Sequence, residues 1–311
     1  MQFRVKAPAT SANLGPGFDT LGLALDVWNE AIIDTDGVAG EIINTGSEAP
    51  LLEGRENLTL SAMRMLAHDY RRELPACAIR AETNIPVSRG MGSSAAALVM
   101  GLAAANILLD LGLDNDDLFE RAARIEGHGD NVGAAIFGGA VMALPATNSV
   151  TLLNDTSDLG LTTVLFIPDM TGATHAARAA LPTTVPHTDA TANVAAVAAL
   201  TLGLKLGNPT LIATGMRDRL HEPYRAELFP HLVPMQEVAR TAGAIGAVLS
   251  GAGPTVLALV QPDLAGNVRT AMSRASQDLG ISGRVREVAP SAVGLVVTES
   301  AESPGSALSM R

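Results

Sequence analysis

Pro86-Val-Ser-Arg-Gly-Met-Gly-Ser-Ser-Ala-Ala96 is the stretch from which the fold is read. It stands where an extended segment, Ala78 to Thr83, hands over to an apolar helical pattern beginning with Ala97-Leu-Val-Met. Gly90 and Gly92 let the backbone turn with positive φ and approach a ligand closely. Ser93 and Ser94 suit the start of a helix, whose first N–H groups then point outward. Those donors and the positive end of the helix dipole bind phosphate without help from a basic side chain. An isolated Gly-x-Gly-Ser-Ser is equally a capping turn with no ligand, and with no Lys in the loop this is not a Walker A site.

At 311 residues the chain has room for one large or two ordinary domains, and 47% hydrophobic residues make it globular. A formal charge of −11 without like-charge blocks excludes nucleic acid and anionic membranes as partners of the general surface. Cys77 is the only cysteine, so neither an intramolecular disulfide nor a cysteine zinc site is available. Met1 to Lys6 reads as a strand and not a signal peptide. Asn106 and Asp110 interrupt the apolar run from Ala95 before a span of about 20 residues is reached, so it reads as a buried helix. A soluble cytoplasmic protein is expected.

Strands are predicted at Phe3–Val5, Leu21–Thr35, Gly40–Thr45 and Cys77–Thr83, with Ala7–Asp19 as a loop between the first two. Helices are predicted from Glu56 to Arg72, with Asn57 able to cap it, from Ser93 to Leu111 and from Asp114 to Ile125. Strands Gly138–Leu144, Val150–Leu153 and Leu161–Pro168 follow, with a soft boundary at 144–156. A helix Ala190–Leu206, strands Gly243–Leu249 and Val256–Val260, a helix Leu264–Leu279, and strands Val285–Val288 and Val293–Val297 complete an α+β chain. Ser300 to Arg311 is polar and expected to fray. The expected domains are 1–150 and 151–311.

Taken whole, Pro86-x-x-x-Gly90-x-Gly92-Ser93-Ser94-Ala95 resembles the second motif of the GHMP kinases. Pro8-Ala-Thr-Ser-Ala-Asn-Leu-Gly-Pro-Gly-Phe-Asp19 resembles the first, in the wording particular to the homoserine kinases of that family, and Ser250-Gly-Ala-Gly-Pro-Thr255 resembles the third. Glu126-Gly-His-Gly-Asp-Asn-Val132, Thr174-x-x-x-Arg178-x-x-Leu-Pro182 and Asp218-Arg-Leu-His-Glu-Pro-Tyr-Arg225 resemble further homoserine-kinase strings, with Gly129 where proline is usual. Together the motifs span Pro8 to Thr255.

The resemblance implies a two-domain GHMP kinase fold. Its N-terminal domain would be like domain 2 of ribosomal protein S5 and its C-terminal domain ferredoxin-like. It further implies phosphoryl transfer from MgATP to the terminal hydroxyl of L-homoserine, giving O-phospho-L-homoserine for threonine synthesis. Pro86, Val87, Ser88, Arg89, Gly90, Met91, Gly92, Ser93, Ser94, Ala95 and Ala96 would wrap the triphosphate, and Asn57 would contact adenine besides capping its helix. Glu126 and then Ser94 are the implied Mg²⁺ ligands, with Glu120 as a competitor. Asn13 and Asn131 would hold the hydroxyl in line. Asp19 would face the substrate ammonium, Arg178 and Arg225 its carboxylate, and His128 and Thr174 would complete the pocket. Asn131 is an amide and cannot act as a base; Asp130 is read as an orienting group, with a base as the alternative. A kinase of another hydroxy amino acid such as threonine, and a nucleotide-binding regulator without turnover, remain open. A homodimer is compatible with the sequence.

Overall fold

The structure is a computed structural model that describes residues 1–156 and 159–299; the tail expected to fray lies outside the described residues. The first sheet is built from β1 (Gln2–Ala12), β2 (Leu21–Asp34), β3 (Ile42–Thr45), β4 (Ala78–Glu82), β5 (Ala140–Leu144) and β6 (Ser149–Asn154). The second holds β7 (Thr162–Pro168), β8 (Gly246–Leu249), β9 (Val256–Val260) and β10 (Gly283–Val288), and β11 (Val296–Glu299) returns to the first. Helices α1 (Leu58–Asp69), α2 (Ser93–Leu108), α3 (Asn115–Glu126) and α4 (Asp130–Phe137) belong to the first half. Those of the second half are α5 (Thr174–Ala179), α6 (His187–Leu206), α7 (Pro209–Gly215), α8 (Glu222–Arg225), α9 (Leu232–Thr241) and α10 (Ala265–Asp278).

The first sheet runs β11-β1-β2-β4-β3 and branches, because the long β2 pairs β4 through Glu30–Asp34 and β5 through Leu21–Leu23. Helix α2 lies on it and is apolar on nearly every face, as a helix surrounded by protein must be. Helix α3 starts with a capping box: Asp117 N donates to Asp114 Oδ1 at 2.8 Å, and Asp114 N to Asp117 Oδ2 at 3.3 Å.

The second sheet runs β10-β7-β9-β8, the ferredoxin-like order, and is antiparallel throughout. β7, β8 and β9 are buried on both faces, with alternate residues going to different cores, while β10 is largely exposed. Val164, Phe166, Val256 and Ala258 face α9 and α10, whereas Leu165, Ile167, Leu257 and Leu259 join the main core. The two halves therefore share one apolar interior.

One expectation needs correction. Ala7–Ala12 is not a loop: β1 runs on to Ala12, and Pro8, which has no N–H to give, sits where the β1–β2 register shifts. In the string after Glu126, Asp130–Phe137 forms α4. The soft boundary at 144–156 falls largely on the β5–β6 hairpin, with 150/151 inside β6, and the first sheet also takes β11. Among the described residues α6 alone is long and apolar enough to cross a membrane by length and composition. It packs on α7 and β6, and its buried Asn193 donates to Pro16 O at 2.8 Å.

Candidate functional site

A cavity of about 490 Å³ opens between the halves, the size of an ordinary small-molecule site. One wall is the loop from Pro86 to Ser94. Ser88, Gly90 and Gly92 all have positive φ (56°, 72° and 69°), and the first intrahelical bond of α2 runs from Ala96 N to Gly92 O. The amides of Ser93, Ser94 and Ala95 thus have no partner within the helix and are available to an anion. Sterics dictate both glycines. A Cβ on Gly90 would lie 2.2 Å from Ser250 O, and one on Gly92 would lie 1.9 Å from Thr10 Oγ1.

The third motif braces this loop from the second half, with Ser250 Oγ donating to Gly90 O at 2.6 Å. Arg89, which also lines the cavity, braces the loop as well. Its Nε donates to Pro168 O (2.9 Å), its NH2 to Asp169 O (3.1 Å) and its NH1 to Glu48 Oε2 (3.2 Å). Glu48 is itself buried, accepts from Val87 N at 3.1 Å and pairs with Arg284 of β10 at 3.2 Å. The Arg89 guanidinium thus joins the halves. The side chains of Ala95 and Ala96 belong to the core, so these two residues have only backbone groups to offer the loop.

Asn57 lines the cavity and also caps α1, accepting from Leu60 N at 2.9 Å. Ser94 Oγ donates to Glu126 Oε1 at 3.1 Å, and both residues line the cavity. Glu120 does not line it and pairs with Arg124 at 2.5 Å on the surface. Two hard oxygens beside the phosphate loop suit Mg²⁺, which takes few protein ligands when phosphates supply the rest. The donor set thus fits at Glu126 rather than Glu120.

Beyond the loop lie the other singled-out residues, and Asn13, Asp19, His128, Asp130, Asn131, Thr174, Arg178 and Arg225 all reach the same cavity. Asn13 Nδ2 donates to Gly251 O at 2.9 Å and its Oδ1 accepts from Asp19 N at 3.0 Å. Asn131 Oδ1 accepts from Thr10 Oγ1 at 2.7 Å, which leaves the Asn131 amide hydrogens for a ligand. Asp130 is 1% exposed, with Oδ1 held by His128 Nδ1 (2.7 Å) and Asn131 N (2.8 Å). Burial opposes charge on His128, but the hydrogen bond and charge of Asp130, with Asp19 and Glu126 nearby, outweigh it and push its pKa up.

Asp19 and Arg178 form a two-pronged pair at 2.7 and 3.0 Å. Arg225 is 2% exposed, and among the described residues no carboxylate lies within 4.0 Å of it. Carbonyl oxygens hold it instead: Ala177 O at 3.2 Å and Gly251 O at 3.1 Å. Burial, then the like charge of Arg178, pushes its pKa down. The guanidinium is ready for an anion at contact distance, which none of the described residues provides. Phe18 lies under both cations, its centroid 5.6 Å from Arg178 Cζ and 5.5 Å from Arg225 Cζ.

Thr10, Phe18, Glu48 and His221 shape this site without having been singled out from the sequence. Thr10, Phe18 and His221 sit inside strings that were recognised. Glu48 lies in a polar loop whose composition carries no signal.

Glu222, on the turn that carries Arg225, is a buried acid whose pKa burial pushes up to about 7, although Leu249 N and Gln236 Nε2 donate to it at 2.6 and 2.7 Å. The folded value lies above the ordinary 4.5, so the folded state holds the proton more tightly. That stabilisation is complete below pH 4.5 and is lost as pH rises through about 7. Glu222→Gln keeps an acceptor for Leu249 N and removes the titration. Between pH 4 and 8 the wild type should therefore lose about 3 kcal/mol of unfolding free energy relative to the variant. Parallel profiles in urea titrations would show that Glu222 titrates normally.

Profiles for the GHMP kinases N terminal domain and the GHMP kinases C terminal domain match residues 57–139 and 196–278. The chain is 38% identical over 308 residues to a homoserine kinase of Synechococcus sp., covering 97% of this chain and 100% of that one. It is 39% identical over 297 residues to a homoserine kinase of Moorella thermoacetica, covering 94% and 99%. The crystal structure of a homoserine kinase from Cytophaga hutchinsonii superposes with a TM-score of 0.84 at 29% identity, covering 96% and 97%.

Proposed function

We propose that this chain, which belongs to the homoserine kinase family of the GHMP kinases, transfers the γ-phosphoryl group of ATP to the side-chain hydroxyl of L-homoserine, giving the O-phospho ester used in threonine synthesis. One observation carries the assignment at the level of chemistry. A single cavity joins a phosphate loop to an acid, Asp19, and two guanidiniums, one of them buried without a carboxylate partner. A zwitterionic amino acid placed there gives its ammonium to Asp19 and its carboxylate to Arg178 and Arg225, so one ion pair is replaced by two. Arginine's planar fork suits the carboxylate.

The N-terminal amides of α2 hold the triphosphate, Asn57 meets the base, and Glu126 with Ser94 would hold Mg²⁺. When bound, Mg²⁺ neutralises charge on the phosphoryl oxygens. Asn131, steadied by Thr10, presents its amide hydrogens to the hydroxyl, while Asn13 fixes the substrate loop on which Asp19 sits. No side chain is assigned as general base: Asn131 cannot accept the proton, and Asp130 orients His128 and the start of α4. Transfer through a loose transition state depends on alignment and charge neutralisation, which this site supplies. We place the enzyme among soluble biosynthetic proteins of the cytoplasm.

Purified protein with ATP and Mg²⁺ should release ADP with L-homoserine and far less with L-threonine or L-serine. Without Mg²⁺ the release should stop, and Glu126→Gln should raise the Mg²⁺ concentration required by roughly tenfold or more while Glu120→Gln leaves it unchanged. Equal turnover of all three amino acids, or none, would overturn the substrate assignment. A Mg²⁺ requirement altered only by Glu120→Gln would overturn the metal ligand.

A further inference from the structure

We propose that His221 is a positioning residue that couples Arg225 to the substrate loop, and that it does so as a neutral imidazole. The proposal rests on Arg225 holding the substrate carboxylate, as argued above. His221 is fully buried, with Nε2 2.8 Å from Gly15 O and Nδ1 3.1 Å from Arg225 NH1. A carbonyl only accepts and a guanidinium only donates, so Nε2 carries the proton and Nδ1 offers its lone pair. Protonating Nδ1 would set two cations against each other in a buried place. Burial lowers the pKa of His221 and the charge of Arg225 lowers it further, against the pull of Asp218.

The loop at the other end needs a fastener. Asn13, Leu14 and Gly15 are consecutive left-handed residues (φ 68°, 49° and 83°), and Leu14 gains nothing from that conformation by itself. Gly251 O holds Asn13, Asn193 holds Pro16, and His221 holds Gly15. Gly251 O also accepts from Arg225 NH1 at 3.1 Å, and of the two fastening side chains His221 is the one that touches that cation. Its ring lies 5.3 Å from that of Phe18, which Arg178 and Arg225 flank, so a displaced imidazole moves the arginine and the loop together.

Two isosteres separate the two bonds. Glutamine places an amide N–H near the Nε2 position and keeps the Gly15 bond, while asparagine places an amide oxygen near Nδ1 and keeps the Arg225 bond. His221→Gln should raise KM for L-homoserine by roughly 10- to 100-fold, with kcat reduced much less and KM for ATP unchanged. 3-Aminopropan-1-ol, which is homoserine without its carboxylate, should inhibit wild type and His221→Gln with equal constants. His221→Asn, which frees the loop, should instead weaken both ligands. If His221→Gln raised the KM of ATP as much as that of homoserine, or weakened the amino alcohol equally, His221 would be only a packing residue. Should His221→Gln not fold, a His221→Asn variant that weakened neither amino ligand would overturn the proposal. Arg225→Ala is the control: if it raised the two amino-ligand constants equally, the carboxylate assignment would fail independently of His221.

Discussion

Gly92→Ala should reduce kcat/KM by at least about 10³-fold while the chain still folds. Position 92 has φ 69°, a region that costs an L-residue roughly 1–2 kcal/mol, and the new Cβ would lie 1.9 Å from Thr10 Oγ1 and 3.2 Å from Asn131 Oδ1. Thr10 has no room to retreat, being fully buried and bonded to Asn131 at 2.7 Å. Overpacking of this kind costs about 1–3 kcal/mol. Relief comes from opening the loop or displacing Asn131, and either change spoils alignment of the phosphoryl group with the hydroxyl. Adding Thr10→Ala removes the clashing oxygen but not the dihedral strain, so the double variant should recover only part of the loss. Steady-state kinetics with ATP titration decide the matter. A Gly92→Ala enzyme within tenfold of wild type would mean that Gly92 does not sit against Thr10 during turnover.

Arg225→Ala should raise KM for L-homoserine by roughly 10- to 150-fold, the loss expected for a charge-assisted bond worth about 1.5–3 kcal/mol. KM for ATP should hold. Arg178→Ala should have a smaller effect, because Arg178 is already neutralised by Asp19 at 2.7 Å whereas Arg225 has no carboxylate within 4.0 Å. Substrate binding takes Arg178 out of one ion pair to put it into another. For Arg225 the substrate supplies a carboxylate at contact distance, where among the described residues there is none within 4.0 Å. Arg225→Lys keeps the charge but not the planar fork, so its KM should fall between wild type and alanine. If both alanine variants raised the KM of ATP and spared homoserine, the arginines would belong to the nucleotide.

The sequence made the phosphate loop legible because sterics leave little choice at Gly90 and Gly92, and made α2 legible because nothing but a buried helix accommodates Ala95 to Ala105. The order of the motifs led correctly to the fold, and Asn13, Asp19, Asn131, Arg178 and Arg225 from separate motifs line one cavity. Other features depend on partners distant in the chain. Pro8 and the small residues after it suggest a loop, yet β2 lies alongside to pair them. The bonds of Arg89 to Glu48 in the first half and to Pro168 and Asp169 in the second could not be read from the loop itself. Asp130 to Phe137 has too few residues for a clear helical period, and its packing against β1, β2 and β5 settles its form. Asn57 does not force a choice between cap and ligand, since it caps α1 with Oδ1 and still lines the cavity.

The pairing of β11 with β1 has a consequence for synthesis. Phe3 to Lys6 pair with Val296–Glu299, which a ribosome delivers about 150 residues after Leu144. At about 5–20 residues per second, the nascent first half waits on the order of ten seconds after Leu144 emerges with that flank of β1 unpaired. An open strand edge of this kind invites pairing with a neighbouring chain. Arg4 and Lys6 on the same stretch, one of them 3.0 Å from Glu30, are charges of the sort that discourage such pairing until the last strand arrives.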